Sequence, residues 1–138
     1  MDMKKLLFGT LAGGFAFFVV GSLVYGILMA GFYESNLGSA IGVVREVPIW
    51  WALIIAQFGF GALLTYVFIH ADVTTAAGGL KIGGAFGLLF GLAIAFDLFA
   101  VTNWSNMTVA FVEPVVTAAR MAIAGSVVGW TLGRVDAR

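Results

Sequence analysis

An all-α membrane fold, a four-transmembrane-helix bundle, is predicted by three observations. Residues Leu6 to Trp130 fall into four apolar stretches, each about long enough to cross a ~30 Å hydrocarbon core. The chain is 62% hydrophobic and only 10% charged over 138 residues, too little polar surface to cover a water-soluble globule of that size. The runs also lack the alternation of a lipid-facing barrel strand, so only helices satisfy their backbone amides away from water. The whole of 1–138 reads as one polytopic domain.

The first span is expected over about 6–32, behind Lys4 and Lys5. Its apolar run exceeds the roughly 7 to 15 residues of a signal-peptide core, and no small-x-small cleavage site follows it, so it reads as an anchor that stays. The segment from Glu34 to Val47 has Leu37, Ile41 and Val44 at helical spacing among Glu34, Asn36, Arg45 and Glu46. That pattern suits a short amphipathic helix lying on the membrane, while Gly38 and Gly42 suit an irregular loop, and the two alternatives stay open. Pro48 introduces the second span, about 49–69. Gly78-Gly79 precede the third, about 82–101, and Glu113-Pro114 look like a cap and first-turn proline opening the fourth, about 114–132.

Basic residues orient these spans. Lys4, Lys5, Lys81, Arg134 and Arg138 fall on one side and only Arg45 on the other, so both termini are expected in the cytoplasm. Tyr33, Trp50, Trp51 and Trp104 then form the outer aromatic belt, and Tyr66 and Trp130 the inner one.

Several function classes are excluded or left without support. Seven basic residues balance seven acidic ones, so nothing points to nucleic acid. With no cysteine and one histidine, His70, neither a metal site nor any other cofactor is implied. His70 and Asp72 read as a solvated helix end. No nucleophile elbow, zinc-binding histidine pair or phosphate loop occurs, so no enzyme activity is expected. Asn103-Trp104-Ser105 and Asn106-Met107-Thr108 fit the glycosylation pattern but sit too close to the membrane for use to be expected.

Small residues are spaced for helix packing. Gly83, Gly87 and Gly91 recur every fourth residue in the third span, as do Gly125, Gly129 and Gly133 in the fourth, behind Ala118 and Ala122. The first span carries Gly9 and Gly13, and the second Gly59 with Ala62 and Thr65 nearby. Such stripes let backbones approach closely where lipid supplies no hydrophobic force between helices. They serve either packing within one chain or a seam between subunits, and a homo-oligomer or a complex with other membrane subunits is the expected state.

Ionisable residues inside a span cost several kcal/mol unless paired or useful. Asp97 lies about five residues, roughly 7 Å, from the outer end of the third span, and Arg120 about six residues inside the fourth. At matched depth the two are expected to pair. Glu113, Thr117 and Arg120 share one helix face at i, i+4 and i+7, and an inward-facing Gln57 would join them. This cluster reads as a register-fixing bridge, as a site for a proton, ion or headgroup, or as a contact with another subunit.

Gly31-Phe32-Tyr33-Glu34-Ser35-Asn36-Leu37-Gly38 and Phe96-Asp97-Leu98 with Thr102-Asn103 resemble segments of small bacterial four-helix membrane proteins grouped only as domains of unknown function. That resemblance implies a fold and a polar outer cluster, and no activity. The glutamate of small multidrug exporters and the signature of fluoride channels are both missing. The leading expectation is a non-enzymatic accessory or structural subunit packing through glycine-rich helix faces; the alternative is a small oligomeric transporter or channel using Asp97, Glu113 and Arg120.

Overall fold

Each long helix begins where a side chain replaces a missing backbone partner or the chain leaves an extended conformation. The computed structural model describes residues 2–137. At the start of α1 (Met3–Leu23), the Asp2 carboxylate accepts from the Lys4 and Lys5 amides at 2.9 and 3.4 Å, the usual N-cap arrangement. The helix then widens into a π turn over Val24–Leu28, closed by the Met29 amide donating to the Val24 carbonyl at 2.8 Å. Met29 leaves helical geometry (φ −119°), and a short helix, α2 (Ala30–Ser35), follows. The unbroken first span expected to reach 32 is therefore interrupted, and the apolar candidate span is Met3–Leu28.

Residues 36–49 form no helix, so of the two readings of this segment the irregular loop is the one observed. Its backbone bonds go to the loop at 102–106: Gly38 and Ala40 donate to Trp104 and Asn103 carbonyls at 2.9 and 3.0 Å, and Asn106 donates to Asn36 at 3.3 Å. A side chain at 38 would collide with the Asn103 carbonyl, which is why a glycine stands at this crossing.

The second long helix is α3 (Trp50–His70), entered from extended Ile49. The third, α4 (Ala76–Val101), starts before Gly78-Gly79 and not after them, because the Thr75 hydroxyl caps it by accepting from the Gly78 amide at 3.0 Å. The fourth, α5 (Met107–Asp136), starts well ahead of Glu113-Pro114 for the same kind of reason: Asn106 caps it through the Val109 amide at 3.1 Å. Pro114 therefore sits inside α5. Membrane helices tolerate an interior proline where neighbouring helices cover the disturbed turn, and here Pro114 is buried against α4 at Gly91.

These four long helices are apolar enough to cross a membrane, and among the described residues the only strand-like feature is a single bridge between Leu37 and Ser105. Within the bundle α5 lies between α4 and α1, and α1 lies between α5 and α3. An even number of crossings returns both termini to one end, where Lys5 and Asp136 form an ion pair at 2.5 Å. Large apolar side chains such as Phe15, Ile55, Leu89 and Phe111 face outward, as contact with lipid requires.

Both glycine stripes face inward, and toward each other. A Cβ added at Gly87 would lie 2.8 Å from the Thr117 carbonyl and 2.9 Å from Ala118 Cα, and one at Gly91 2.8 Å from Pro114 Cα. Gly83 opposes Met121, Gly125 opposes Gly79, and Gly129 and Gly133 oppose Thr75 and Thr74. The stripes are consumed inside the chain and leave no glycine seam between α4 and α5 for a second subunit. In the other pair, Gly9 and Gly13 meet α3 at Thr65 and Gly61. The partner glycine on α3 is thus Gly61; Gly59 faces outward with nothing within 4 Å.

Candidate functional site

The half of the bundle nearer the termini is solid: Leu64, Phe68, Ala124, Val128 and Leu132 are buried there in one cluster. The other half is hollow. A cavity of about 410 Å³ runs from mid-bundle, at Phe17, Phe60, Phe90 and Met121, to the two paired loops, where Leu37, Val44, Trp104 and Ser105 meet it. Its walls are largely apolar, with Ile94, Ala95, Leu98 and Val109 adding to the aromatic floor. This size and lining fall in the usual range for small-molecule pockets.

One polar cluster is set into that lining. Glu113 on α5 is its acceptor: Tyr25 donates to Oε1 at 2.5 Å, Tyr33 donates to Oε2, and the Thr117 hydroxyl donates to Oε1 at 3.4 Å. Arg120, two turns further along α5, donates from Nη1 to the Tyr25 hydroxyl at 3.3 Å and from Nη2 to Gln57 Oε1 at 3.1 Å. Its guanidinium lies over the Tyr25 and Phe17 rings, 4.9 and 5.8 Å from their centroids. Arg120 and Glu113 form no direct ion pair; the Tyr25 hydroxyl connects them, accepting from one and donating to the other.

Local backbone geometry puts the two tyrosines there. On an ideal helix, residues 25 and 33 would project about 80° apart. The π turn and the break at Met29 change that register, so the rings lie 5.2 Å apart, inclined at 49°, and both hydroxyls reach Glu113. Single π turns inside α-helices frequently occur at functional sites. Burial first, and then the Glu113 carboxylate, push the Tyr33 hydroxyl well above the ordinary tyrosine range. Gly21 leaves room for the rest: a Cβ there would sit 3.1 Å from Arg120 Nη2 and 3.7 Å from Gln57 Oε1.

Of the residues singled out in the sequence, Glu113, Thr117, Arg120 and the buried Gln57 come together. Asp97 does not. It lies on the exposed side of α4 and makes no ion pair with Arg120. Both height and azimuth separate the two: α5 starts at Met107 and not at Pro114, which puts Arg120 level with Gly87 while the turn before Asp97 packs Phe96 against Phe111, and the glycine stripe that turns α4 toward α5 leaves Asp97 on the face that points away. Tyr33 leaves the expected outer belt for the interior, whereas Trp50, Trp51, Trp104, Tyr66 and Trp130 are exposed. Tyr25 and Gly21 were missed altogether; the available signal was a tyrosine within an apolar span, whose hydroxyl needs a partner when buried.

Arg120 remains under-satisfied. A guanidinium has five N–H donors, two of them are engaged, and buried Nε has no hydrogen-bond partner. Buried polar atoms of this kind usually find an acceptor. What the arrangement offers chemically is a half-open apolar chamber with a fixed, charge-compensated Arg–Tyr–Glu chain on one wall. Comparison with family models, curated proteins and solved structures gives no match to this chain.

Proposed function

We propose that this is a non-enzymatic multi-pass protein of a bacterial inner membrane, both termini cytoplasmic, that binds a small, mainly apolar molecule in the chamber of its outer half. The observation that carries this reading is an Arg120 guanidinium with only two of its donors engaged, lining a 410 Å³ apolar cavity. A register-fixing bridge would satisfy its own charges and leave no such space. Conduction through one chain has less support, since the aromatic floor and the packed half below it offer no polar path.

The test is native mass spectrometry of the protein released from bilayer nanodiscs. A retained small molecule is expected in the wild type, and its loss in Ala95→Leu and Leu98→Trp, which fill the chamber from α4. Unliganded wild type, or retention undiminished in both filled variants, contradicts the reading.

A second reading, a subunit of a larger membrane assembly, is favoured by Asp97 alone. An exposed carboxylate on a candidate span is costly in lipid and would be relieved by a donor from a neighbouring helix. Such an assembly would use this outward face of α4, since the glycine faces are occupied. Blue-native electrophoresis in mild detergent tests it: a complex that Asp97→Asn dissociates supports docking there, and one particle size for both proteins opposes it.

A further inference from the structure

Resting on the reading of the chamber as a binding site, we infer that its occupant is an uncharged molecule with an oxygen acceptor, of the ester or ketone class, on an apolar body, and that the site discriminates against carboxylates.

Hydrogen-bond supply selects the acceptor. The hydroxyl hydrogens of Tyr25, Tyr33 and Thr117 are all committed to Glu113. The donors left are those of Arg120, whose Nη1 and Nη2 each make one hydrogen bond while the side chain lines the chamber, and a planar guanidinium suits a carbonyl oxygen in its plane. A ligand offering only N–H groups would leave that guanidinium as it is, and a hydroxyl, which also accepts, has to place its own hydrogen elsewhere.

Charge selects neutrality. Arg120 and Glu113 already cancel, one positive and one negative, in a chamber walled by Phe17, Phe60, Phe90 and Leu98. A carboxylate or phosphate would make the site net negative and an ammonium net positive, and an uncompensated charge in such surroundings is strongly disfavoured. A neutral acceptor takes a remaining guanidinium hydrogen and leaves the balance intact. The apolar walls then take up the body of the molecule.

Trp104 lines the chamber and reports on it. The full chain is placed in phosphatidylcholine nanodiscs and titrated with an ω-bromo medium-chain fatty-acid methyl ester or with the parent acid, at about pH 9 where the acid is ionised. Bromine quenches nearby tryptophan, the Trp104→Phe variant supplies the background from the other three tryptophans, and both probes are compared at equal mole fraction in the bilayer. The ester is expected to half-saturate Trp104 quenching at a mole fraction at least about tenfold below the acid, a conservative figure for one extra buried charge. Glu113→Gln leaves Arg120 unmatched and is expected to move the preference toward the acid.

Acid binding equal to or tighter than ester binding in the wild type overturns the inference while leaving the chamber a binding site. So does a properly folded Glu113→Gln protein whose preference does not move. Quenching by neither probe beyond the Trp104→Phe background overturns the binding-site reading itself. The wild-type ratio needs no variant in the cluster, so it decides the question even if Glu113→Gln fails to fold.

Discussion

Replacing Gly87 by alanine tests whether close backbone approach between α4 and α5 holds the bundle together. The added Cβ would stand 2.8 Å from the Thr117 carbonyl oxygen, 2.8 Å from Met121 Cβ and 2.9 Å from Ala118 Cα. Ordinary contact begins near 3.4 Å, so the two helices must separate locally by about 0.6 Å. Two of the three atoms are backbone and cannot swing aside. A gap of that size forfeits about a quarter of each dispersion contact along the seam, and overpacking of this kind costs typically ~1–3 kcal/mol. The larger Gly87→Leu should exceed that range or prevent assembly of α4 on α5, and Gly129→Leu, facing the Thr75 carbonyl, should behave alike. Gly59→Ala is the matched control, since nothing lies within 4 Å of its added Cβ; it should stay within about 0.5 kcal/mol of wild type. Steric-trap unfolding in bicelles measures all of these. If Gly87→Ala proves as stable as Gly59→Ala, the stripes do not carry the packing assigned to them.

Three other outcomes are expected. A double-mutant cycle on Arg120→Met and Gln57→Leu should return a coupling energy of about 0.5–3 kcal/mol, while one on Asp97→Asn and Arg120→Met should return less than about 0.5 kcal/mol; the reverse ranking would restore the ion pair that the fold separates. Because the Tyr33 hydroxyl is raised in the folded protein above its unfolded value of about 10, its contribution is complete below that pH and is lost as pH rises beyond it. Unfolding measured on either side of about pH 10 should thus show wild type losing more stability than Tyr33→Phe, and identical losses would place the hydroxyl in water. Ser39→Cys should react with a membrane-impermeant thiol reagent in intact cells and Ala76→Cys should not, the opposite pattern inverting the assigned orientation.

The sequence by itself determined the solvent and the fold class, because four apolar runs of membrane length admit only helices once water is removed. It also determined much of the cluster on α5, since Glu113, Thr117 and Arg120 share a face by helical periodicity alone. Helix starts were less legible: Thr75 and Asn106 cap earlier than the glycines and the proline suggested, and a proline covered by a neighbour no longer marks an end. What only the tertiary structure decided was register and azimuth. Periodicity says which residues share a face but not which neighbour that face meets or at what level, so Asp97, one residue beyond the Phe96–Phe111 contact, and Arg120, level with Gly87, are separated in height and direction once the glycine seam has set α4 on α5. The same holds for Tyr25 and Tyr33, which reach one carboxylate because a π turn and a break at Met29 shift their register. The cavity belongs wholly to this level, being the space left where α1, α3, α4 and α5 diverge above a packed half, and a volume between helices has no residue of its own in the chain.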